Sequence, residues 1–405
     1  MPNVALLIAY NVATSGRYEG GSWIRLKGTE SPTDPPLRAY HLPGEPLYLA
    51  AGLAMRRPVL FTFWHVPVTV LLALATAACA LALFGPDAAL VTGAIAALDP
   101  VTLVHGHVYD DTFLGAALLW AGSAILIRRW VDTASGAGQP PTTAQPWLTF
   151  ALMLAAGWAS ITRSELFAVF VVTAACCAGI PALTALRRSG VAIAVAILVA
   201  GGSWTARNAL VLHHPVVGST HDGLTLWEST APQAGRALSR GQVDALSTDP
   251  AIVEPLWRET AATDEVGAND VFWTAAVRGI WAEPRRVTGL AFHKVLLSVL
   301  GVRPEESWAS ARNAVSIAVA ILLAVAAALG WRRIAATPSP VRHVPAIAAW
   351  ALALECVVVL AIGPVGIRYW IAGRPLLWIL AGCLVLRVGA TRASPAVDHP
   401  QPTNP

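Results

Sequence analysis

The sequence predicts an all-α polytopic membrane protein, and three observations carry that prediction. The 405 residues are 55% hydrophobic and only 13% charged, where soluble domains carry about 25% charged residues. Mean hydropathy is +0.57. Apolar runs of membrane-crossing length recur along the chain, and a spanning helix needs about 20 such residues. A water-soluble fold of this size could not hide that much apolar surface, so lipid must cover part of it.

Taken in order, the runs lie at 58–84, 87–105, 110–127, 147–162, 166–185, 190–205, 309–330, 344–362 and 370–387. A further apolar stretch, Val4–Ala13, is short: it is either a truncated span or a helix that dips in without crossing. Met1–Ala13 lacks a basic start and a cleavage site, so no cleavable leader is expected. Basic pairs close three spans: Arg128 and Arg129, Arg187 and Arg188, Arg332 and Arg333. Placing these pairs in the cytoplasm gives about ten crossings with both termini inside. The outer side then receives a loop at 15–57, a turn near 106–111 and a long stretch at 206–308.

This topology divides the chain into four parts. Residues 1–205 form an N-terminal transmembrane core that includes the first outer loop, and 206–308 a small extracytoplasmic region. Residues 309–390 hold the C-terminal membrane helices, and 391–405 a disordered, Pro-rich tail. Gly44–Met55 is too short to cross and suits a helix lying in the interface. Asp132–Pro146 is a cytoplasmic linker. Within the outer region His213–Thr230 reads as loop. Pro250–Thr263 and Asn269–Trp281 show helical spacing, and Val287–Leu300, with His293 and Lys294, reads as an amphipathic surface helix. Asp99 before Pro100 shapes a kink in its span, and Glu355 pairs with a neighbouring helix.

The net charge of +4 is too small to argue for a nucleic-acid partner. Lys27 and Lys294 are the only lysines, and arginine grips phosphate bidentately where lysine does not. Cys79, Cys176, Cys177, Cys356 and Cys383 lie in apolar runs without metal-ligand or disulfide spacing.

Ionisable residues near a membrane are expensive and mark candidate sites. Here they gather at the outer ends of spans. Glu19 follows the first apolar segment, and Asp110 and Asp111 follow His105-Gly106-His107. Arg163 and Glu165, Arg207 and Asn208, and Arg368 and Tyr369 sit at three further ends. Glycosyl transfer needs such a set: a carboxylate to deprotonate the acceptor hydroxyl and cations or a metal to stabilise the departing phosphate. A polyprenyl-phosphate leaving group requires the site to lie at headgroup level. The competing readings are helix capping for one of Asp110 and Asp111, and a metal held by His105 and His107 with Asp110, whose spacing is not diagnostic. No cofactor is otherwise called for; a divalent metal stays open.

Several stretches resemble the GT-C membrane glycosyltransferases, in the branch around protein O-mannosyltransferases and bacterial aminoarabinose transferases. His41-Leu42-Pro43-Gly44-Glu45-Pro46-Leu47-Tyr48-Leu49-Ala50 resembles the family's Pro-Gly-x-Pro-Leu segment. Ile161-Thr162-Arg163 is similar to its Leu-Thr-Arg, and Ser203-Trp204-Thr205-Ala206-Arg207-Asn208 to its Pro-Trp-x-x-Arg-Asn. Ser219 to Trp227 resembles the Ser-x-x-Gly-x-Asn-Leu-Trp that follows. Asp270, Ala275, Ile280, Pro284 and Lys294 keep the spacing of an outer helix, and Arg368-Tyr369 with Pro375 that of the last span.

The resemblance implies a GT-C type bundle of about ten helices in the cell membrane, with the active site on the extracytoplasmic face. It implies inverting transfer from a polyprenyl-phosphate sugar to a protein, glycan or lipid acceptor. Glu19 takes the place of the catalytic base, where relatives usually carry Asp, and Asp110 or Asp111 that of a second acid. Arg368, with Tyr369, binds the donor phosphate, with Arg207 and Arg163 as further candidates. The readings from other classes are a transporter or lipid flippase and a non-catalytic partner in envelope assembly. A transporter would place its polar groups near the bilayer midplane.

Overall fold

A computed structural model describes residues 4–20, 36–105, 111–134, 145–234, 250–260, 263–302, 310–335 and 372–385. The expected span 344–362 with Glu355, the tail, and most of the 132–146 linker lie outside these. So do Asp110, His107, Arg368 and Tyr369.

The described residues are mainly helical, without strands. In chain order the helices are α1 (Val4–Ser15), α2 (Gly44–Ala54), α3 (Val66–Phe84), α4 (Pro86–Leu98), α5 (Asp111–Ala134), α6 (Gln145–Ser160) and α7 (Ser164–Gly179). They continue with α8 (Arg187–Leu212), α9 (Asp222–Thr230), α10 (Pro250–Thr260), α11 (Glu265–Ala282), α12 (Pro284–Leu300), α13 (Ala311–Ala335) and α14 (Arg374–Gly382). Among the described residues four helices are long and apolar enough to cross a membrane: Val59–Phe84, Asp111–Thr133, Leu183–Leu212 and Ala311–Ala335. Leu90, Leu198 and Leu322 project outward, each more than two-thirds exposed. Apolar surface of that extent needs a cover, and a bilayer provides it.

Local chemistry sets the helix ends. Gly85 closes α3 with a left-handed φ of 91° that favours glycine. Pro86 then opens α4 at its first turn, where a missing N–H is harmless. Pro100 ends α4 at Asp99 and starts the short helix Pro100–His105, so the expected break is present.

Two apolar cores hold the long helices. One joins α3, α4, α5, α13 and α14 through Leu72, Phe113, Trp120, Leu323 and Trp378. The other joins α6, α7 and α8 through Leu152, Phe170, Ile193 and Ile197. At one end Arg129 ties three helices together by donating to Ser189 Oγ and Thr149 Oγ1. Helices α13 and α14 approach closely at Gly330, where a Cβ would stand 1.8 Å from the Leu380 carbonyl oxygen.

Inside the first core lies an ion pair that the sequence reading did not contain. Asp99 accepts from Arg374 Nε at 3.0 Å and Nη2 at 2.6 and 2.9 Å. Trp378 Nε1 donates to the same carboxylate at 2.8 Å, and the Val101 amide also donates at 2.8 Å. Both charged side chains are almost fully shielded. Asp99 therefore does more than mark a kink.

Between α8 and α13, α9 to α12 form a separate apolar cluster around Trp227, Val253, Phe272 and Leu297. Two expectations change here. Residues 222–230 are helical rather than loop, with Asp222 in the first turn, where a carboxylate suits the helix dipole. Lys294 lies on the buried face of α12 with Leu290 and Leu297, not on the outer face of a surface helix. Burial pushes its ammonium down to about 8.

Candidate functional site at the helix rim

Six segments remote in sequence meet at one end of the long helices. They are Tyr18–Gly20, residues 36–44, the start of α5, the α6–α7 corner, the end of α8 and residues 214–222. The first strand of this network centres on Arg207. Its guanidinium donates to the carbonyls of Arg38 at 2.6 Å and Tyr18 at 3.2 Å, and to Asn208 Oδ1 at 3.0 Å. It also stacks against the Tyr18 and Trp204 rings, 5.3 and 5.1 Å from their centroids. Arg207 thus pins both ends of the first loop to α8.

Glu19 sits in the same region. Its carboxylate lies 3.7 Å from Arg38 Nε and is half-buried. Asn11 holds its carbonyl at 2.8 Å, and the Gly20 amide donates to Leu37 at 2.7 Å. The hydroxyl of Tyr18 donates to the His41 carbonyl at 2.9 Å. Burial raises the Tyr18 pKa, with the Arg207 charge opposing, so the phenol stays a neutral donor.

A second strand joins Asp111, Arg163 and Glu165. Arg163 bonds Asp111 at 3.0 Å and Thr112 Oγ1 at 2.8 Å, and pairs closely with Glu165. Asp111 is the first residue of α5, and its carboxylate serves this pair. Next to it, Asp222 accepts from Ser219 Oγ at 2.7 Å and Ser164 Oγ at 3.3 Å. Burial raises the Asp222 pKa, with the hydroxyl bonds working against the shift.

Two contacts join the strands. The Gly44 amide donates to the Ile161 carbonyl at 2.7 Å, and a Cβ on Gly44 would fall 2.2 Å from Thr162 Oγ1. The Gly44→Ala variant is expected to lower stability by about 1–3 kcal/mol through overpacking, read as a drop in unfolding temperature in detergent. An unchanged transition would remove the close-approach argument.

The other contact is Glu265, the first residue of α11, which sequence reasoning missed. Its buried carboxylate accepts from the Arg38 and Ala39 amides at 2.7 and 2.8 Å and from Thr220 Oγ1. The Thr220 amide returns a bond to Ala39 at 2.9 Å.

At this junction Tyr40, His41 and His221 form an aromatic cluster. Ring centroids are 4.4 Å apart for Tyr40 and His221 and 5.8 Å for the two histidines. Thr225 Oγ1 lies 3.0 Å from His221 Nδ1. Burial pushes the imidazole of His41 down to about 4. It pushes His221 down to about 3, with the charge of His41 adding to the effect.

The sign follows from linkage. A histidine whose folded pKa is depressed contributes stability above its unfolded pKa of about 6.5, lost as pH falls toward the folded value. Wild-type protein is expected to lose more thermal stability between neutrality and about pH 4 than a His41→Asn/His221→Asn variant. Equal slopes in the two proteins would refute the junction's role.

The sequence-predicted residues Glu19, Asp111, Arg163 and Arg207 therefore share one rim. His105 ends the short helix Pro100–His105. His107 and Asp110, its partners in the metal alternative, are outside the described residues, as are Arg368 and Tyr369. Among the described residues no group of three or more His, Cys, Asp or Glu side chains could hold a metal ion. An apolar groove of about 760 Å³ lies between α3 and α4, lined by side chains such as Val70, Leu74, Ala77 and Leu90. Its aliphatic lining offers no acid or base.

Among the described residues the class is that of a helical protein with four helices long and apolar enough to cross a membrane, and a polar rim at their ends. No family model, curated protein or solved structure matches the chain.

Proposed function

We propose that the protein is a polytopic membrane glycosyltransferase. It moves a sugar from a polyprenyl-phosphate donor to an acceptor on the extracytoplasmic face, within a GT-C type bundle of about ten helices. One observation carries the reading: Glu19, Asp111, Arg163 and Arg207, drawn from four remote segments, share a single rim at the ends of apolar helices. Acids and guanidinium groups at headgroup depth are what transfer from a lipid phosphate requires.

In this mechanism Glu19 takes the proton from the acceptor hydroxyl. The freed oxygen attacks the anomeric carbon from the face opposite the phosphate. The bond from that carbon to the phosphate oxygen breaks, polyprenyl phosphate departs with the electron pair, and configuration inverts. Arg38, its Nε 3.7 Å from the Glu19 carboxylate, helps to position that group. Arg163, fixed at the rim by Asp111, Thr112 and Glu165, is a further proposed phosphate ligand on sequence grounds. Arg368 and Tyr369 are proposed phosphate ligands on sequence grounds. Arg207, saturated by backbone carbonyls and rings, is better suited to shaping the loop than to binding phosphate.

The test is substitution. Glu19→Ala is expected to reduce transfer by about 10²–10⁴-fold, the usual contribution of a general base, with folding and membrane insertion unchanged. Full activity in that variant would reject the assignment of the base.

A transport reading has one observation in its favour, the charged pair Asp99–Arg374 within the first core. Bidentate bonding and the added indole donor make that pair a fastener. Uptake or lipid flipping in proteoliposomes without a transfer product would favour transport all the same.

A further inference from the structure

Helices α11 and α12 leave large apolar side chains uncovered outside the spanning segments. Trp281 is 79% exposed and Phe292 71%. On α12 the exposed positions Arg285, Phe292 and Leu296 fall at i, i+7 and i+11, one helical face, and its opposite face buries Leu290 and Leu297. On α11 the exposed Arg278 and Trp281 are three residues apart and likewise share a face. Exposed leucines on the long helices are explained by acyl chains, but these four positions and Leu296 belong to the region between α8 and α13. Large apolar side chains exposed together in this way mark an interaction surface.

We propose that α11 and α12 rest on the headgroup layer of the protein's own membrane, with Trp281 and Phe292 inserted and Arg278 and Arg285 on lipid phosphates. Three features favour this occupant over a protein. The region is bounded in sequence by α8 and α13, two of the helices long and apolar enough to cross a bilayer, so it emerges beside the lipid surface. Tryptophan is the side chain enriched at that boundary, with its ring at headgroup level. The two exposed arginines match anionic phosphates in sign, and each basic residue near such a surface adds about 1 kcal/mol of attraction. The inference does not depend on the reaction proposed above.

The full-length protein tests it. Trp281→Cys and Phe292→Cys are each labelled with an NBD fluorophore, with wild type carried through the same labelling as a blank. The proteins are placed in phosphatidylcholine nanodiscs with and without phosphatidylglycerol. Loss of most of the fluorescence to lipids doxyl-labelled near the carbonyl, with little loss to aqueous iodide, is the expected result. In an Arg278→Glu/Arg285→Glu background, iodide quenching should rise in the discs that contain phosphatidylglycerol. Labels quenched by iodide and untouched by doxyl lipid would overturn the proposal. So would labels shielded from both quenchers, which would assign the face to a second copy or a protein partner. These substitutions are on the surface, and a monodisperse elution profile checks that folding is intact.

Discussion

Asp99→Ala and Arg374→Ala are each expected to destabilise the protein by about 3–5 kcal/mol, the loss typical when one partner of a buried ion pair is removed. Each change strands a charge inside the first core and removes the bidentate contact that compensates it. Asp99→Ala also orphans the Trp378 indole N–H and the Val101 amide, so it should be the more damaging. A double variant, Asp99→Leu/Arg374→Met, removes both charges together and should recover much of the loss, because apolar replacement of a complete buried pair is often neutral. Thermal unfolding in detergent, with yield of monodisperse protein as a second readout, distinguishes these outcomes. If the single variants unfold like wild type, the pair is not the fastener described.

The second large effect is expected at Glu265. Its carboxylate serves two backbone amides of the first loop and the Thr220 hydroxyl. Hydrogen bonds to a charged group contribute about 1.5–3 kcal/mol each, and orphaned buried donors cost about 1–3 kcal/mol apiece. Glu265→Ala should therefore cost several kcal/mol and free the 36–44 segment from the outer helices. Glu265→Gln keeps one acceptor oxygen and should lie between the two. Protease cleavage within the first loop, compared across the three proteins, reads the loop directly. Equal cleavage rates would show that Glu265 does not hold it.

The bilayer-length helices were legible in sequence because lipid forces every span to carry a long apolar run with its hydrogen bonds satisfied internally. Asp111 and Arg163 were legible as rim residues for the same reason: each stands at the end of such a run. Arg374 was not, since Gly373-Arg374-Pro375 sits inside an apolar run and its partner is 275 residues away. Glu265 escaped because two of its three donors are backbone amides, which leave no side-chain pattern to read. Two other signals were present and overlooked. Leu290, Lys294 and Leu297 recur at i, i+4 and i+7, which places Lys294 on the apolar stripe. Asp222 stands in the first turn of α9, where an acidic residue suits the helix dipole.

The glycosyl-transfer reading depends on chemistry at the rim, and one assay addresses it without intermediaries. Purified protein in proteoliposomes is incubated with a panel of radiolabelled polyprenyl-phosphate sugars and crude envelope acceptors. The account predicts label moving from at least one lipid donor into an acceptor, with an equal amount of polyprenyl phosphate released and an inverted anomeric configuration in the product. Intact donor across the whole panel, from protein shown to be folded and inserted, would contradict it.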